Sequence, residues 1–393
     1  MSIKVVVVLA GVATCTNCLK ISKAQDASLP QLCGRADSTI QLNGNFWAAE
    51  FSSSSLQQSI PANTQLLPTR LIPADNHSYT FDYYLSQDGQ AIVFFTAELP
   101  TQLPSYSSMI PLNTNKSVDV VTTGGAHLSI PYQANWWKLG PELSPGHFGV
   151  LAYDENQFAT ILDLSWATDR LTIRESESLP FKINPRVWQD QVFISPDWSF
   201  LAYTDDQEQS FNIYARTEKH VVWSLKPVRD FIPQVSWLRD DKAIAIINMG
   251  GADGDGKIIK VDRQGKTQTL IDLATFFPNQ SYYPIFTDTS NDNHLVAISG
   301  QLEQTDQEHY FLLNTDSGKI AALCYIPFTK TVASNPIWIM GGAYLAIQDL
   351  DTYTSTPSAL TVVSVLTGDY TQRYPVGSGK ILEIVAWSSK GKN

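Results

Sequence analysis

The chain has 393 residues, of which 17% are charged, 43% hydrophobic and 11% aromatic. This composition excludes a disordered chain and provides enough apolar side chains for a sizeable core. The formal net charge is −11, from 38 acidic and 27 basic residues, and such a charge repels phosphate backbones and anionic lipid surfaces, so we expect no nucleic-acid ligand.

The first 24 residues have the three-part layout of a secretory signal or a lipoprotein signal. Lys4 is followed by the short apolar run 5–13, and small polar residues come next. The segment that ends at Cys15 resembles a bacterial lipobox, in which Cys15 would carry a lipid, and the alternative is cleavage after Ala24. A buried strand over residues 5–9 is a third interpretation. We therefore expect an exported protein, either a periplasmic or outer-membrane lipoprotein or a secreted one, whose only membrane attachment is an N-terminal lipid.

The chain contains four cysteines: Cys15, Cys18, Cys33 and Cys324. Cys15 and Cys18 form a C-x-x-C pair, which is typical of redox or zinc sites but here falls inside or beside the removable segment. Cys33 and Cys324 would then be the two cysteines of the mature chain and candidates for one disulfide in an oxidising compartment. The alternative is that Cys324 is an ordinary apolar core residue.

We interpret residues 25–37 as a linker and residues 38–393 as a repeat domain. Six β-hairpin turns are predicted at 112–116, 166–170, 215–219, 262–266, 314–318 and 366–370. Their centres recur about every 50 residues, an interval typical of β-propeller blades made of four antiparallel strands.

A second marker repeats at the same interval. It is an aromatic or apolar residue followed by a polar turn, at 85–89, 143–146, 194–197, 237–241, 286–288, 338–341 and 387–389. An apolar strand follows most of these markers, for example over residues 91–95 and 200–203. Apolar runs of this length fit strands that are buried on both faces between neighbouring blades.

One of these markers resembles a known blade signature. Residues 194–203, Ile-Ser-Pro-Asp-Trp-Ser-Phe-Leu-Ala-Tyr, are similar to the S-P-D-G-x-x-L-A-Y pattern of TolB-type and dipeptidyl-peptidase-type propellers, a WD-repeat-like blade class. Residues 85–94 are a looser copy, and Trp198 replaces the turn glycine. The resemblance implies an all-β propeller scaffold, and it implies no active-site residue.

The seventh marker comes too close to residue 393 for three more strands to follow it. We expect strands at 39–42, 46–51 and 64–71 to complete that blade, with 52–63 as a polar connection. The fold class is therefore predicted as an all-β, seven-bladed β-propeller closed between its C-terminal and N-terminal strands. The alternative is a six-bladed ring with residues 38–75 as a separate extension.

The sequence contains no motif that indicates catalysis or a cofactor: it has no G-x-S-x-G, no phosphate-binding loop and no H-E-x-x-H. The glycine-rich and acidic stretch 250–256 lacks the ligand positions of an EF-hand. Six histidines are scattered along the chain: His77, His127, His147, His220, His294 and His309. We expect no metal site and no cofactor, although residues distant in sequence can converge on a propeller axis.

Acidic residues recur in the predicted connections between the second and third strands of each blade. All of these connections open on the same face of the ring. We expect them to form a negatively charged rim suited to a protein partner with a basic surface. The candidate rim residues are Asp154, Glu155, Asp205, Asp206, Asp253, Asp255, Asp306, Asp349 and Asp351. The alternative is that these loops are simply solvated, since Asp is a good turn residue.

Two functional hypotheses follow. The first is an exported, non-catalytic propeller that acts as a protein-binding scaffold in a cell-envelope or secretion assembly. The alternative is a propeller enzyme of the lyase, lactonase or cyclase type with an axial site. The distances among His127, His147, His294 and the rim acids discriminate between them, because a catalytic or metal site needs a tight cluster.

Overall fold

The computed structural model describes residues 31–32, 42, 44–50, 56–62, 65–70, 78–98, 116–131, 136–153, 158–167, 170–182, 192–205, 210–226, 233–238, 243–248, 256–272, 282–289, 294–302, 308–324, 336–349, 359–368, 370–375 and 382–389. Within these ranges the chain forms 29 β-strands and one 3₁₀ turn, Met340–Gly342. The strands belong to seven sheets.

The first three sheets of the ring are each built from four strands that are consecutive in the chain. Sheet I contains β5 (Ser78–Leu85), β6 (Ala91–Glu98), β7 (Lys116–Thr122) and β8 (His127–Pro131). Sheet II contains β9 (Trp136–Ser144), β10 (His147–Tyr153), β11 (Phe158–Ala167) and β12 (Arg170–Lys182). Sheet III contains β13 (Val192–Ile194), β14 (Phe200–Asp205), β15 (Ser210–Ala215) and β16 (His220–Leu225).

Three further sheets follow the same plan. Sheet IV contains β17 (Gln234–Trp237), β18 (Ala243–Asn248), β19 (Lys257–Asp262) and β20 (Thr267–Asp272). Sheet V contains β21 (Tyr282–Thr289), β22 (Leu295–Leu302), β23 (Glu308–Asn314) and β24 (Ile320–Leu323), with β1 (Gln31–Leu32) as a fifth strand. Sheet VI contains β25 (Ile337–Ile339), β26 (Tyr344–Asp349), β27 (Ala359–Ser364) and β28 (Tyr370–Pro375).

The last sheet, which we call the seam sheet, joins strands from distant parts of the chain. It contains β29 (Leu382–Ser389), β2 (Gly44–Glu50), β3 (Leu56–Ala62) and β4 (Gln65–Arg70) in that order. β29 pairs antiparallel with β2 from Gly44↔Ser389 to Glu50↔Leu382. The expected pairing of the C-terminal strand with an N-terminal strand is therefore present.

Contacts between neighbouring sheets make the molecule a β-propeller. The first strands of consecutive sheets touch: β5 contacts β9, β9 contacts β13, β17 contacts β21 and β21 contacts β25, which in turn contacts β29 of the seam sheet. Sheets III and IV meet through Phe200 and Trp237, whose ring centroids are 6.4 Å apart. β29 also contacts β5, so the series of contacts returns to its starting sheet.

The apolar core lies between sheets rather than inside one of them. One cluster joins Ala91 and Phe95 of sheet I to Phe148 and Val150 of sheet II. The side chains of residues 91–95 are all buried, because this second strand has a neighbouring sheet on each face. The continuous apolar run in the sequence is explained by this position.

Two tight turns, each containing a glycine, pack against the preceding sheet. Gly265, in the turn between β19 and β20, lies so close to the Val222 carbonyl oxygen of sheet III that a Cβ would overlap it. Gly318 of sheet V similarly faces Leu270 of sheet IV, with a Cβ position 3.0 Å from the carbonyl oxygen. Both glycines have positive φ angles, +76° and +67°, so conformation and space both require a residue without Cβ.

Three expectations differ from the structure in detail. β3 occupies residues that were predicted as a polar connection. The first predicted hairpin, 112–116, is not the hairpin of sheet I: residues 112–115 lie outside the described residues, and the turn follows β7 at Gly124-Gly125, where Gly125 has φ +82°. β1 falls inside the expected linker 25–37 and pairs in parallel with β24.

The expected signal segment, residues 1–24, lies outside the described residues. Among the residues that the structure covers, no helix is long and apolar enough to cross a membrane.

Candidate functional site

The strand order gives the propeller two faces with different contents. We call the upper face the edge of the propeller at which the second strand of each sheet ends. In sheets I to VI these strands are β6, β10, β14, β18, β22 and β26. They end at Glu98, Tyr153, Asp205, Asn248, Leu302 and Asp349. We call the lower face the opposite edge, with turns at 86–90, 123–126, 144–146, 195–199, 216–219, 263–266, 315–319, 340–343 and 366–368. The predicted rim residues follow the second strands and so belong to the upper face.

Two of the nine candidate rim residues, Asp205 and Asp349, are described, and both end a second strand at the upper face. The other seven, Asp154, Glu155, Asp206, Asp253, Asp255, Asp306 and Asp351, lie outside the described residues. Each of these seven belongs to a segment that begins after the upper end of a second strand. The topology thus agrees with the assumed blade order from which the rim was predicted.

The negative charge of Asp205 acts on the neighbouring Tyr203. Burial, followed by the negative charge of Asp205, raises the pKa of Tyr203 to about 12. The Tyr203 ring stacks on Phe181 of sheet II with centroids 4.0 Å apart and an interplanar angle of 9°. Tyr203 therefore stays neutral at physiological pH and joins sheets II and III directly below the upper face.

Three histidines of the lower face are each paired with a carboxylate of their own sheet. The three pairs are His127 with Asp119 at 2.9 Å, His147 with Asp163 at 3.1 Å, and His294 with Asp316 at 2.7 Å. They belong to sheets I, II and V. Within the described residues no three His, Cys, Asp or Glu side chains form a group that could hold a metal ion.

The Asp119 pair is the most enclosed of the three. The Asp119 side chain is 5% exposed and accepts hydrogen bonds from His127 and from Ser117 at 2.7 Å. Burial raises the pKa of Asp119, but hydrogen bonds from His127, Ser117, Thr96 and Ser129 together hold it below its usual value. This carboxylate ties three neighbouring strands together, so its role in the structure is that of an internal cross-link.

The two copies of the blade signature form the same turn. Ser195 Oγ donates to Asp197 at 2.7 Å and accepts from the Phe200 amide at 2.9 Å. In the looser copy, Ser86 Oγ donates to Asp88 at 2.6 Å and accepts from the Ala91 amide at 2.9 Å. The serine and aspartate of the signature therefore shape the turn that precedes the second strand.

Trp198 stands where this signature has glycine and keeps the backbone conformation of one. Its φ is +60°, close to the +69° of Gly89 in the other copy. The ring is fully buried, and Nε1 donates to the Pro141 carbonyl oxygen at 2.7 Å. A Cβ at Gly140 or Gly149 of sheet II would overlap the ring, so these glycines provide the space that the tryptophan fills.

Sequence reasoning missed a buried carboxylate that joins two turns of the lower face. Glu142 is 6% exposed. Its Oε2 accepts from the Gln87 amide of sheet I, and its Oε1 accepts from the Gly146 amide of its own sheet, both at 2.7 Å. A glutamate at the end of an apolar strand gives no sequence pattern that would reveal this contact.

A second missed pair lies on the innermost strands. Asp82 has a φ of +56° inside β5, where the register with β6 shifts. Its carboxylate accepts from the Leu139 amide of sheet II at 2.5 Å and lies 3.8 Å from Lys138 Nζ. Charged side chains on first strands are the groups nearest to the centre of a propeller ring.

Of the cysteines, Cys324 is described and is disulfide-bonded. Cys15, Cys18 and Cys33 lie outside the described residues. The lipidation expected at Cys15 stays a prediction.

Comparison with known proteins gives a fold and no family. No protein-family model matches the chain, and no curated protein matches it. A putative 6-phosphogluconolactonase from Bacteroides fragilis NCTC 9343 has a TM-score of 0.52 at 15% identity, covering 89% of this chain and 99% of that one. A structure from a study of two prolyl endopeptidases has a TM-score of 0.53 at 12% identity, covering 90% of this chain and 51% of that one.

TolB from Acinetobacter baumannii is also among the similar structures, with a TM-score of 0.44 at 13% identity, covering 78% of this chain and 82% of that one. Identities this low carry the fold and nothing of the chemistry. The chain is a β-propeller whose structural neighbours include TolB, enzymes and parts of enzymes.

Proposed function

We propose that the protein is an exported, seven-bladed β-propeller that acts as a non-catalytic, protein-binding scaffold in a cell-envelope or secretion assembly. The seven-bladed ring is supported by seven sheets that contact one another in order and return to the first. The observation that carries the functional proposal is the placement of Asp205 and Asp349 at the equivalent ends of two second strands.

The upper face supplies the proposed binding surface. Asp205 and Asp349 stand at strand ends on this face, and the predicted rim acids follow the ends of the same kind of strand in other sheets. A ring of carboxylates focuses negative potential at one face, which accelerates association with a basic surface and selects against acidic ones. The overall charge of −11 has the same sign.

The lower face supports a non-catalytic role. Its three carboxylate-paired histidines, His127, His147 and His294, contact carboxylates of their own sheets and lie in three separate sheets. Acid–base catalysis requires groups that converge on one reacting atom. Pairs distributed in this way strengthen individual sheets instead.

Export is supported by the disulfide at Cys324. Disulfides persist in oxidising compartments and are rare in the cytosol. The three-part N-terminal segment points to the same compartment, and a lipid on Cys15 would hold the propeller at a membrane surface.

The proposal is tested by finding the partner and then changing the charge of the upper face. Cross-linking in intact cells of the source organism, followed by mass spectrometry, is expected to identify a protein with a basic surface. Its affinity for the purified full-length propeller is then measured at several salt concentrations. Reversing the charge at two positions, Asp205→Lys with Asp349→Lys, should weaken binding by about tenfold and flatten its salt dependence.

The matched control is Glu218→Lys, which reverses an exposed acid in a turn of the lower face. We expect this variant to bind like the wild type, and all variants should keep the wild-type melting temperature. Equal binding by the double variant and the control would contradict the proposal, as would a partner whose contact surface is acidic.

One observation favours the enzyme alternative, namely the Asp82–Lys138 pair. A non-glycine residue with positive φ is a strained conformation that is often found at functional sites, and this one carries a charged side chain on an innermost strand. A lactone or ester substrate turned over by the wild type and not by Asp82→Asn would establish this alternative. The absence of turnover with either protein would favour the scaffold.

A further inference from the structure

The disulfide at Cys324 needs a partner, and the sequence offers Cys15, Cys18 and Cys33. The position of β1 discriminates among them. β1 pairs in parallel with β24, with Gln31 opposite Ala322 and Leu32 opposite Leu323. If this register continued by one residue, residue 33 would stand opposite residue 324.

We propose that Cys33 is the disulfide partner of Cys324 and that this bond staples the N-terminal segment across the ring closure. Neighbouring strands lie about 4.8 Å apart, and residues directly opposite each other fall within the Cα separation that a disulfide spans, roughly 4.4–6.8 Å. Cys15 and Cys18 are more than a dozen residues before β1, whereas Cys33 follows it directly, so the register of β1 favours Cys33. Formation removes two electrons and two protons from the thiols, which a disulfide donor of an oxidising compartment accepts by exchange.

The path of the N-terminal segment shows what the staple would hold. β1 lies on sheet V. Leu42 is buried in a cluster with Ile339, Leu360 and Tyr374 of sheet VI. β2 then enters the seam sheet. The segment therefore touches three consecutive sheets around the point where the ring closes.

A covalent bond at this place changes how the ring can open. Without it, the closure depends on the noncovalent pairing of β2 with β29. With it, sheet V and the seam sheet are linked by residues 33–43, which span at most about 40 Å when fully extended. The gap that sheet VI occupies then cannot widen beyond the reach of this tether, even when β29 separates transiently from β2.

The pairing is tested by mass spectrometry of the full chain, with free thiols blocked before digestion by trypsin. We expect the peptide Ala24–Arg35, or its processed form, linked to Ile320–Lys330 before reduction and separate after it. A link from Ile320–Lys330 to Val5–Lys20, which contains Cys15 and Cys18, would overturn the assignment. A blocked thiol at Cys33 would overturn it as well.

The stapling role is tested by thermal unfolding with and without dithiothreitol. Cys33→Ser, Cys324→Ser and the double variant should each melt about 3–5 °C below the wild type, and reductant should lower the wild type to the same value. The double variant should not respond to reductant. A control with Cys15→Ser and Cys18→Ser should behave like the wild type. The staple would be refuted if reductant did not change the melting temperature of the wild type, or if the control lost its response to reductant. Neither result concerns partner binding, so the proposed function is tested separately.

Discussion

Substitutions at the contact between Trp198 and Gly149 measure how much the packing between sheets II and III contributes to the free energy of unfolding. The tryptophan ring is fully buried, and the alpha carbon of Gly149 faces it so closely that a methyl group would overlap the ring. Gly149 is paired within β10 opposite Asp163 and does not have a positive φ. The effect of Gly149→Ala therefore comes from overlap rather than from backbone strain, and we expect it to cost about 2–3 kcal/mol.

Removing the ring has a larger effect of a different origin. Trp198→Ala loses the buried side chain, which typically costs about 3–5 kcal/mol. It also leaves the Pro141 carbonyl without its 2.7 Å hydrogen bond, which adds about 1 kcal/mol. The sum is about 4–6 kcal/mol, one of the largest effects that we expect from a single substitution in this chain.

The two substitutions should compensate each other. Once the ring is gone, the alanine methyl at position 149 enters the vacated space, so Gly149→Ala should cost almost nothing in the Trp198→Ala protein. The double-mutant cycle then gives a coupling of about 2 kcal/mol. Urea titrations followed by far-UV circular dichroism measure the midpoints, and an unchanged m-value shows that the unfolding reaction is the same. Additive effects of the two substitutions would refute the interpretation of this contact.

Two further predictions concern a buried carboxylate and a tight turn. Because the pKa of Asp119 is lowered in the folded protein, its stabilisation is present above the unfolded value near 3.9 and is lost as the pH falls through the folded value. Asp119→Asn should destabilise the protein by about 1–3 kcal/mol at pH 7, and in urea titrations across pH the difference should shrink as the pH falls below the unfolded pKa; a difference that is independent of pH would contradict this reasoning. Gly265→Ala should cost at least about 2 kcal/mol more than Gly125→Ala, because both glycines have positive φ but only Gly265 faces a neighbouring carbonyl oxygen. Thermal unfolding of both variants measures this difference, and equal losses would show that only backbone strain matters.

Much of the fold could be predicted from the sequence because the propeller repeats a local pattern. The marker turns at 194–197 and 85–89 precede apolar second strands, and both features follow from turn chemistry and from burial on two faces. The pairing of the last strand with N-terminal strands could be predicted because the seventh marker leaves too few residues for three more strands. These features depend on residues that are neighbours in sequence or on an edge that must be covered.

Other features depend on contacts between sheets and have no local pattern. Trp198 reads as a departure from the blade signature, yet it is explained by Gly140 and Gly149, which are about 50 residues away in another blade. Glu142 is unremarkable in sequence and is held by an amide of sheet I. β1 is only two residues long, and nothing in residues 25–37 predicts that it adds to sheet V.

The candidate site was predicted as a pattern of charge rather than as a set of contacts. Asp205 and Asp349 lie on the predicted face because the direction of each second strand determines where its connection begins. The histidines could not be assigned from sequence. Their partners, such as Asp119 for His127, lie on adjacent strands, and the registers that bring them together are set by hairpin geometry.

The seam sheet also pairs a strand that is synthesised early with one that is synthesised last. Trp47 donates to Ser388 at 3.2 Å across 341 positions of sequence, so β2 is synthesised long before the strand that covers it. Until that strand emerges, one edge of β2 stays open to any other extended segment, which invites aggregation during a slow, non-local folding reaction. A cell that produces this protein must therefore keep the early strands apart from one another until the final strand arrives.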